Sequence, residues 1–142
     1  MKSIWLVVLL CSTGFIFTKE IYISETRGDD NNSGSISHPF KTLKKAFGTA
    51  EDDDIVKVEV GTYATDGYLF ATKSFKLVGL KNKNGKKPRI VGEIVFANKK
   101  GFVTGFEFTN SKTAITLSIG LESYYVEDCD FFNTTRFFFF FF

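Results

Sequence analysis

An internal repeat in the second half of the chain constrains its fold more than any other feature. Five positions recur at one constant interval, where Phe102, Val103, Phe106, Phe108 and Asn110 correspond to Tyr125, Val126, Cys129, Phe131 and Asn133. At a slightly longer interval upstream, Leu77 corresponds to Val103 and Gly79 to Gly105. Short apolar segments with a period of roughly 20–30 residues are typical of a solenoid, in which each turn of the chain stacks on the previous one. Chance similarity within a β-sandwich is the alternative interpretation.

The local patterns within and before the repeat are those of short β-strands. Val56, Val58 and Val60 alternate with other residues, which is the period of a strand with one buried face. Further strands are predicted at residues 75–78, 94–96, 102–103, 106–108, 115–117, 124–126 and 129–131. Asn110 and Asn133 should occupy equivalent tight turns, because asparagine tolerates left-handed backbone geometry. The predicted class is all-β, with parallel solenoid coils over residues 55–136.

Residues 19–54 have a different pattern and form a separate amino-terminal region. A β-prone segment at residues 21–24 is followed by a polar loop at residues 27–34 that is rich in Gly, Asp, Asn and Ser. A helix is predicted to begin at about Pro39. Its apolar residues recur at helical spacing and are Phe40, Leu43 and Phe47. A helix of only about two to three turns is not stable alone, so this apolar side must pack on another surface.

The order of these segments resembles a known family. The segments that carry the resemblance are residues 21–24, 28–34 and 39–46, then Asp54 and residues 61–63. They are similar to the amino-terminal signature of the pectin lyase-like, right-handed parallel β-helix proteins, which usually have glycine at the position of Asp53. The resemblance implies a right-handed parallel β-helix whose short helix caps the first coil. Such a cap also covers strand edges that would otherwise pair with other chains.

Both ends of the chain differ from the repeats between them. Lys2, an uninterrupted apolar segment and the small residues 12–14 predict a signal peptide at residues 1–18, and hence a secreted or cell-surface protein. This segment is too short to span a bilayer, which takes about 20 apolar residues. Residues 137–142 are all phenylalanine, without periodicity or polar partners. We expect this tail to be a truncation artefact, so that the natural protein continues with further coils.

The overall charge argues against nucleic-acid binding. Eighteen lysines and arginines oppose sixteen carboxylates, for a net charge of +2, whereas proteins that neutralise phosphates are usually far more basic. No phosphate-loop or dinucleotide-binding glycine pattern and no zinc-ligand spacing occurs, so no cofactor is expected. The four adjacent acids at residues 51–54 are predicted to form a solubilising loop. Cys129 would be the one cysteine of the mature chain, and we expect it to be buried and inert.

A basic segment between two predicted strands is the candidate carbohydrate-binding site. Its five cations lie close together in the chain and are Lys81, Lys83, Lys86, Lys87 and Arg89. The Asn, Gly and Pro residues among them indicate an exposed turn. Such a turn could hold an acidic polysaccharide, such as a uronan, by electrostatic attraction. A solvated turn without a ligand is the alternative.

A second polar segment resembles the opening of a calcium loop. Asp29, Asn31 and Ser33 place oxygen atoms at alternate positions, but the twelfth position, where a bidentate carboxylate is required, is Phe40. A turn held by side-chain hydrogen bonds is therefore the favoured interpretation, with calcium as the alternative. Asn31 and Asn133 also begin N-glycosylation sequons, which would be used only in a eukaryotic secretory pathway.

Two functions remain open, because a β-helix fold does not determine chemistry. The first is a secreted or cell-surface β-helix without catalytic activity, of the adhesin or carbohydrate-contacting kind. The alternative is the amino-terminal part of a polysaccharide lyase or uronan epimerase that acts on acidic polysaccharide. The resemblance transfers no catalytic residue by motif. The expected partner is an acidic polysaccharide or a cell-surface glycan.

Overall fold

The computed structural model describes residues 18–98, 100–117 and 123–140. Most of the predicted signal peptide therefore lies outside the described residues. The elements in chain order are β1 (Glu20–Ile23), α1 (Leu43–Thr49), β2 (Ile55–Val58), β3 (Thr62–Ala71), β4 (Lys76–Gly79), β5 (Arg89–Phe96), β6 (Lys100–Thr104), β7 (Glu107–Thr109), β8 (Thr113–Leu117), β9 (Ser123–Glu127), β10 (Asp130–Phe132) and β11 (Arg136–Phe140). Within these ranges, no helix has the length and hydrophobicity that crossing a bilayer requires.

All strand pairs in the described residues are parallel and wind into a right-handed β-helix, as predicted. One sheet has the order β1-β2-β4-β6-β9, and the other has the order β10-β7-β5-β8-β11, with β3 also paired to β5. Each coil returns the chain to the first sheet, where Ile55, Lys76, Phe102 and Tyr125 are successive partners. Three full turns therefore separate β2 from β9, and their lengths are unequal.

The stacking register predicted from the repeat is confirmed. Val103 lies between Leu77 and Val126 in adjacent coils, as both intervals in the sequence required. Phe108 pairs with Phe131, and their rings stack with centroids 5.4 Å apart and an interplanar angle of 12°. Like residues thus stack on like residues inside the solenoid, which is how a repeat protein builds a continuous core.

The turns adopt the backbone geometry that their residues favour. Asn110 and Asn133, which follow the paired strands β7 and β10, have φ angles of 55° and 50°, in the left-handed region predicted for both. Asp53 has a φ of 68°, which explains why the resembled family usually has glycine there. Asp53 therefore adopts a backbone geometry that glycine would adopt without strain.

The capping helix begins later than the sequence indicated. The helix was expected from about Pro39, but Phe40 is extended and forms a parallel bridge with Ile23, so that α1 starts at Leu43. Thr42 is the N-cap, and its hydroxyl oxygen accepts a hydrogen bond from the Lys45 amide at 3.1 Å. A side-chain cap of this kind fixes where the helix starts.

The cap buries its apolar side on the first coils, as the helical spacing required. Leu43, Ala46 and Phe47 are buried, and the ring of Phe47 meets that of Phe75 edge-on with centroids 4.9 Å apart. The helix contacts β1 and β3, the first strands of the two sheets. The short helix is therefore stabilised by packing rather than by its own propensity.

Three segments differ in detail from the sequence interpretation. β3 extends through residues 62–71, where no strand was predicted, because a bulge at Asp66 and Gly67 interrupts the alternating pattern. Asp54 is buried rather than part of a solvated loop, since its carboxylate accepts hydrogen bonds from the backbone amides of Lys19 and Glu51. The backbone of β11, which consists of Arg136 and the first four residues of the phenylalanine tail, pairs with β8. The origin of this tail as a truncation artefact stays a prediction.

Candidate functional site

The outward face of the five-stranded sheet carries a column of side chains that crosses three coils. Lys76 on β4 lies beside Phe102 on β6, which lies beside Tyr125 on β9. The next residues on β4 and β6, Leu77 and Val103, are fully buried, so the alternation of side chains places the column on the outer face. Tyr125 is 59% exposed, a high value for an aromatic residue on a regular strand. This column presents aromatic surface to solvent.

The column lies in a shallow groove of about 450 Å³, here called the sheet groove. Its lining includes Asp53, Lys76, Lys100, Phe102, Ser123, Tyr125 and Glu127. Two ammonium groups and two carboxylates contribute, so the formal charges of the lining cancel. A concave surface with an aromatic centre and a few polar groups is the usual form of a ligand-binding site.

Polar side chains flank the aromatic pair on both sides. Two positions before it Lys100 lies beside Ser123, and two positions after it Thr104 lies beside Glu127. Residues two apart on a strand share a face and are about 6.7 Å apart, which is within reach of the edge of a ring stacked on the aromatic pair. Within the part of the chain that the structure describes, Glu127 forms no ion pair. Its carboxylate is therefore available to accept hydrogen bonds from a ligand.

Tyr124 fixes the strand that presents Tyr125. The Tyr124 hydroxyl donates to the backbone oxygen of Asn98 at 2.5 Å, and its ring meets Phe96 edge-on with centroids 5.6 Å apart. Burial raises the pKa of Tyr124 to about 12. The Asn98 side-chain amide in turn donates to the backbone oxygen of Ala71 at 3.2 Å, which ties β9 to an earlier coil. Because Tyr124 is anchored inward, its neighbour must face the solvent.

The sequence contained part of the signal for this groove. The repeat already matched Phe102 with Tyr125, and the inward position of Val103 and Val126 implies an outward position for both aromatic residues. No sequence pattern predicted the roles of Asn98 and Tyr124. They depend on a contact between two distant positions of the chain, and Asn98 lies outside the repeated positions.

The predicted basic segment does not form one free cationic surface. Lys87 is only 9% exposed, and its ammonium group lies 3.0 Å from Asp128 and 2.8 Å from Asp130. Lys81 also pairs with Asp128, at 2.7 Å. Burial of the Lys87 ammonium opposes its charge, but hydrogen bonds to both aspartates raise its pKa overall. Hydrogen bonds from Lys81 and Lys87 lower the pKa of Asp128.

Of the other three cations in the segment, one is paired and two are exposed. Arg89 pairs with Glu107 at 2.8 Å across β5 and β7. Lys83 and Lys86 are exposed at the tip of the turn, where the side chain of Asn82 accepts hydrogen bonds from the backbone amides of Asn84 and Lys86. Three of the five predicted cations thus join coils together. The binding role proposed for the whole segment stays a prediction.

The candidate calcium segment forms a closed turn. One carboxylate oxygen of Asp29 accepts hydrogen bonds from the Asn31 backbone amide at 2.8 Å and from its side-chain amide at 2.9 Å. The Ser33 hydroxyl donates to Ser35 at 3.1 Å. One Asp29 oxygen and the Ser33 hydroxyl are thus engaged in local hydrogen bonds typical of a turn held by side chains, and calcium binding stays a prediction. In the described ranges, no three His, Cys, Asp or Glu side chains come together in a way that could hold a metal ion.

The two sequons and the cysteine lie at different depths. Asn31 and Asn133 are both exposed and both lie in turns. Cys129 is half-buried against the core rather than fully buried, and burial raises the pKa of its thiol. A raised pKa lowers the fraction of reactive thiolate at neutral pH, and the inert role of Cys129 stays a prediction.

Comparisons with known proteins agree with the fold. A family model described as "Protein of unknown function (DUF1565)" matches residues 26–101. A solved structure titled "Rhamnogalacturonan lyase" is similar over 84% of this chain, with a TM-score of 0.53 and 18% sequence identity. The chain spans 37% of the length of that lyase, and the likeness at this identity concerns the fold alone. A comparison with curated proteins finds no match.

Proposed function

The chain belongs to the DUF1565 family, and we propose that it is a secreted or cell-surface β-helix protein that binds polysaccharide in the sheet groove. We further infer membership of the pectin lyase-like superfamily, which the amino-terminal signature and the β-helix fold support. The binding role is that of an adhesin or carbohydrate-contacting protein, without catalysis by this chain.

The observation that carries the proposal is the aligned pair Phe102 and Tyr125 on the outer face of the sheet. A sugar ring has a face of C–H groups that packs on an aromatic ring and an edge of hydroxyl groups that form hydrogen bonds. The pair supplies the aromatic surface, and Ser123 and Glu127 supply polar groups beside it. Adjacent coils are about 4.8 Å apart, close to the length of one sugar unit in an extended chain. A polysaccharide running across the strands would therefore meet one coil per sugar.

Binding should be measured by affinity electrophoresis of the purified protein in gels that contain neutral or acidic polysaccharides. We expect retardation by at least one polysaccharide, and weaker retardation of the Tyr125→Ala and Phe102→Ala variants. Tyr68→Ala is the matched control, because Tyr68 is 62% exposed but lies on β3 of the other sheet. Equal binding by Tyr125→Ala and the wild type, or a loss confined to Tyr68→Ala, would refute the proposed site.

Export from the cell is a separate part of the proposal. It rests on the charged start, the apolar segment and the small residues before Lys19. Amino-terminal sequencing of secreted protein should give a mature chain whose first residue lies between Phe15 and Lys19. A mature chain that begins at Met1 would contradict export by this signal.

The second candidate is a role as part of a polysaccharide lyase or uronan epimerase. Its support is the similarity to a lyase of which this chain spans 37%. Incubation with polygalacturonate or alginate and calcium, followed by absorbance of the unsaturated product, tests for lyase activity. We expect no turnover from this chain, whereas calcium-dependent turnover would replace the binding proposal with the enzymatic one.

A further inference from the structure

The charges around the sheet groove point to the class of polysaccharide that it binds. Resting on the proposed carbohydrate contact, we propose that the groove selects neutral glycans over polyuronates. A polyuronate has a carboxylate on each sugar and requires a surface with an excess of positive charge. The formal charges of the groove lining cancel, with two lysines and two carboxylates.

The position of Glu127 makes the groove unfavourable for an acidic sugar. Glu127 follows Tyr125 by two positions on β9, so its carboxylate is on the same face and beside any ring stacked on Tyr125. A neutral sugar presents hydroxyl donors to this carboxylate. A uronate in the same place would bring a second carboxylate close to the first, and like charges repel at this distance.

Cations bordering the groove are already paired with carboxylates. On the same sheet, Lys57 of β2 lies 2.6 Å from Glu20. Lys73, which precedes the lining residue Ser74, lies 2.8 Å from Glu51, and Lys81 lies 2.7 Å from Asp128, which follows the lining residue Glu127. A polyanion would have to displace these carboxylates to gain contact with the three bordering cations, and within the lining Lys76 and Lys100 are balanced by Asp53 and Glu127. The lining and these bordering pairs therefore offer an acidic chain no excess of positive charge.

Lys83 and Lys86 provide a test of the opposite view. Both are exposed in the turn between β4 and β5 and are absent from the groove lining. Binding of polyuronate by general charge attraction would depend on these lysines and would weaken with added salt. Binding of a neutral glycan by the groove would depend on Tyr125 and Glu127 and would change little with salt.

The experiment compares the affinities of the purified protein for galactan, xylan and galactomannan, as neutral probes, with its affinity for polygalacturonate, at low and high sodium chloride. We expect one neutral probe to bind at least about tenfold more tightly than polygalacturonate, and Tyr125→Ala to reduce that binding about tenfold. Glu127→Gln should weaken binding of the neutral probe and reduce the difference in affinity between that probe and polygalacturonate. A Lys83→Gln, Lys86→Gln double variant should bind the neutral probe as the wild type does.

The outcomes separate the two proposals. Tighter binding of polygalacturonate that is lost in Tyr125→Ala would refute neutral selectivity but support polysaccharide binding in the groove. Polygalacturonate binding that is lost only in the double lysine variant would refute both the selectivity and the groove. The absence of binding to all four probes, by variants and wild type with the same melting temperature, would likewise refute the proposed function and this inference together.

Discussion

Gly79 provides a direct test of how closely the coils are stacked. It ends β4, and a Cβ atom added to it would lie 2.1 Å from the backbone oxygen of Gly105 in the next coil. Real Cβ atoms essentially never approach another heavy atom within 3.0 Å, so Gly79→Ala would have to push the coils apart at this point. The obstructing atom is backbone, and the adjacent Val78 and Thr104 are partners in the β4–β6 pair. The coils cannot separate without weakening that pair.

We therefore expect Gly79→Ala to lower the free energy of unfolding by about 2–4 kcal/mol, from overpacking and the loss of about one hydrogen bond. For a chain of this size, that corresponds to a fall in melting temperature of roughly 10 °C. Gly105→Ala should be at least as destabilising, because Gly105 also has a φ of 81°, which a side chain disfavours.

Gly48→Ala is the matched control for this prediction. Gly48 lies within α1, and a Cβ atom there would meet nothing within 4 Å. Alanine is favoured over glycine in a helix, so this variant should be more stable than the wild type by about 0.5–1 kcal/mol. Thermal and urea unfolding followed by circular dichroism measure all three variants. A Gly79→Ala protein that melts with the wild type would refute the stacking of these two glycines.

Three further predictions concern ionisation and backbone strain. Tyr63 and Tyr124 should titrate with pKa values of about 12 when followed by ultraviolet absorbance, because burial disfavours the phenolate. Since both folded pKa values exceed the ordinary value of 10.0, the contribution of these tyrosines to stability should be complete below pH 10.0 and lost as the pH rises towards 12. Phe substitutions that leave the alkaline titration unchanged would contradict this assignment. Lys87→Met should lower the melting temperature more than Lys86→Met and shift acid unfolding to higher pH, because it leaves Asp128 and Asp130 without their buried partner Lys87. Equal effects of the two substitutions would show that these ion pairs contribute nothing to stability. Asp53→Gly should raise the free energy of unfolding by up to about 1 kcal/mol, because it removes the cost of holding a side chain at a φ of 68°. Urea unfolding measures this change, and a decrease in the free energy of unfolding would indicate that the carboxylate itself is needed in this turn.

Much of the fold follows from periodicity in the sequence. The two repeat intervals specify which residues of adjacent coils meet, because similar coils bury most apolar surface when like stacks on like. The alternation within each strand then assigns Val103 and Val126 to the inner face. The helix start was misplaced because Phe40 has the right spacing for either a helix or an extended segment, and the contact with Ile23 decides between them.

The site depended on contacts that no local pattern records. Lys87 looked like part of an exposed turn, and only the return of the chain two coils later brings Asp130 to its ammonium group. Asp54 looked solvated, but its carboxylate accepts hydrogen bonds from the backbone amide of the distant Lys19 and from that of Glu51 in its own turn. Periodicity was enough to predict the coil register and the inward and outward faces, because both depend only on the spacing of like residues. Which charges are neutralised and where aromatic surface stays open could be read only from the folded chain, because both depend on how coils of unequal length bring distant side chains together.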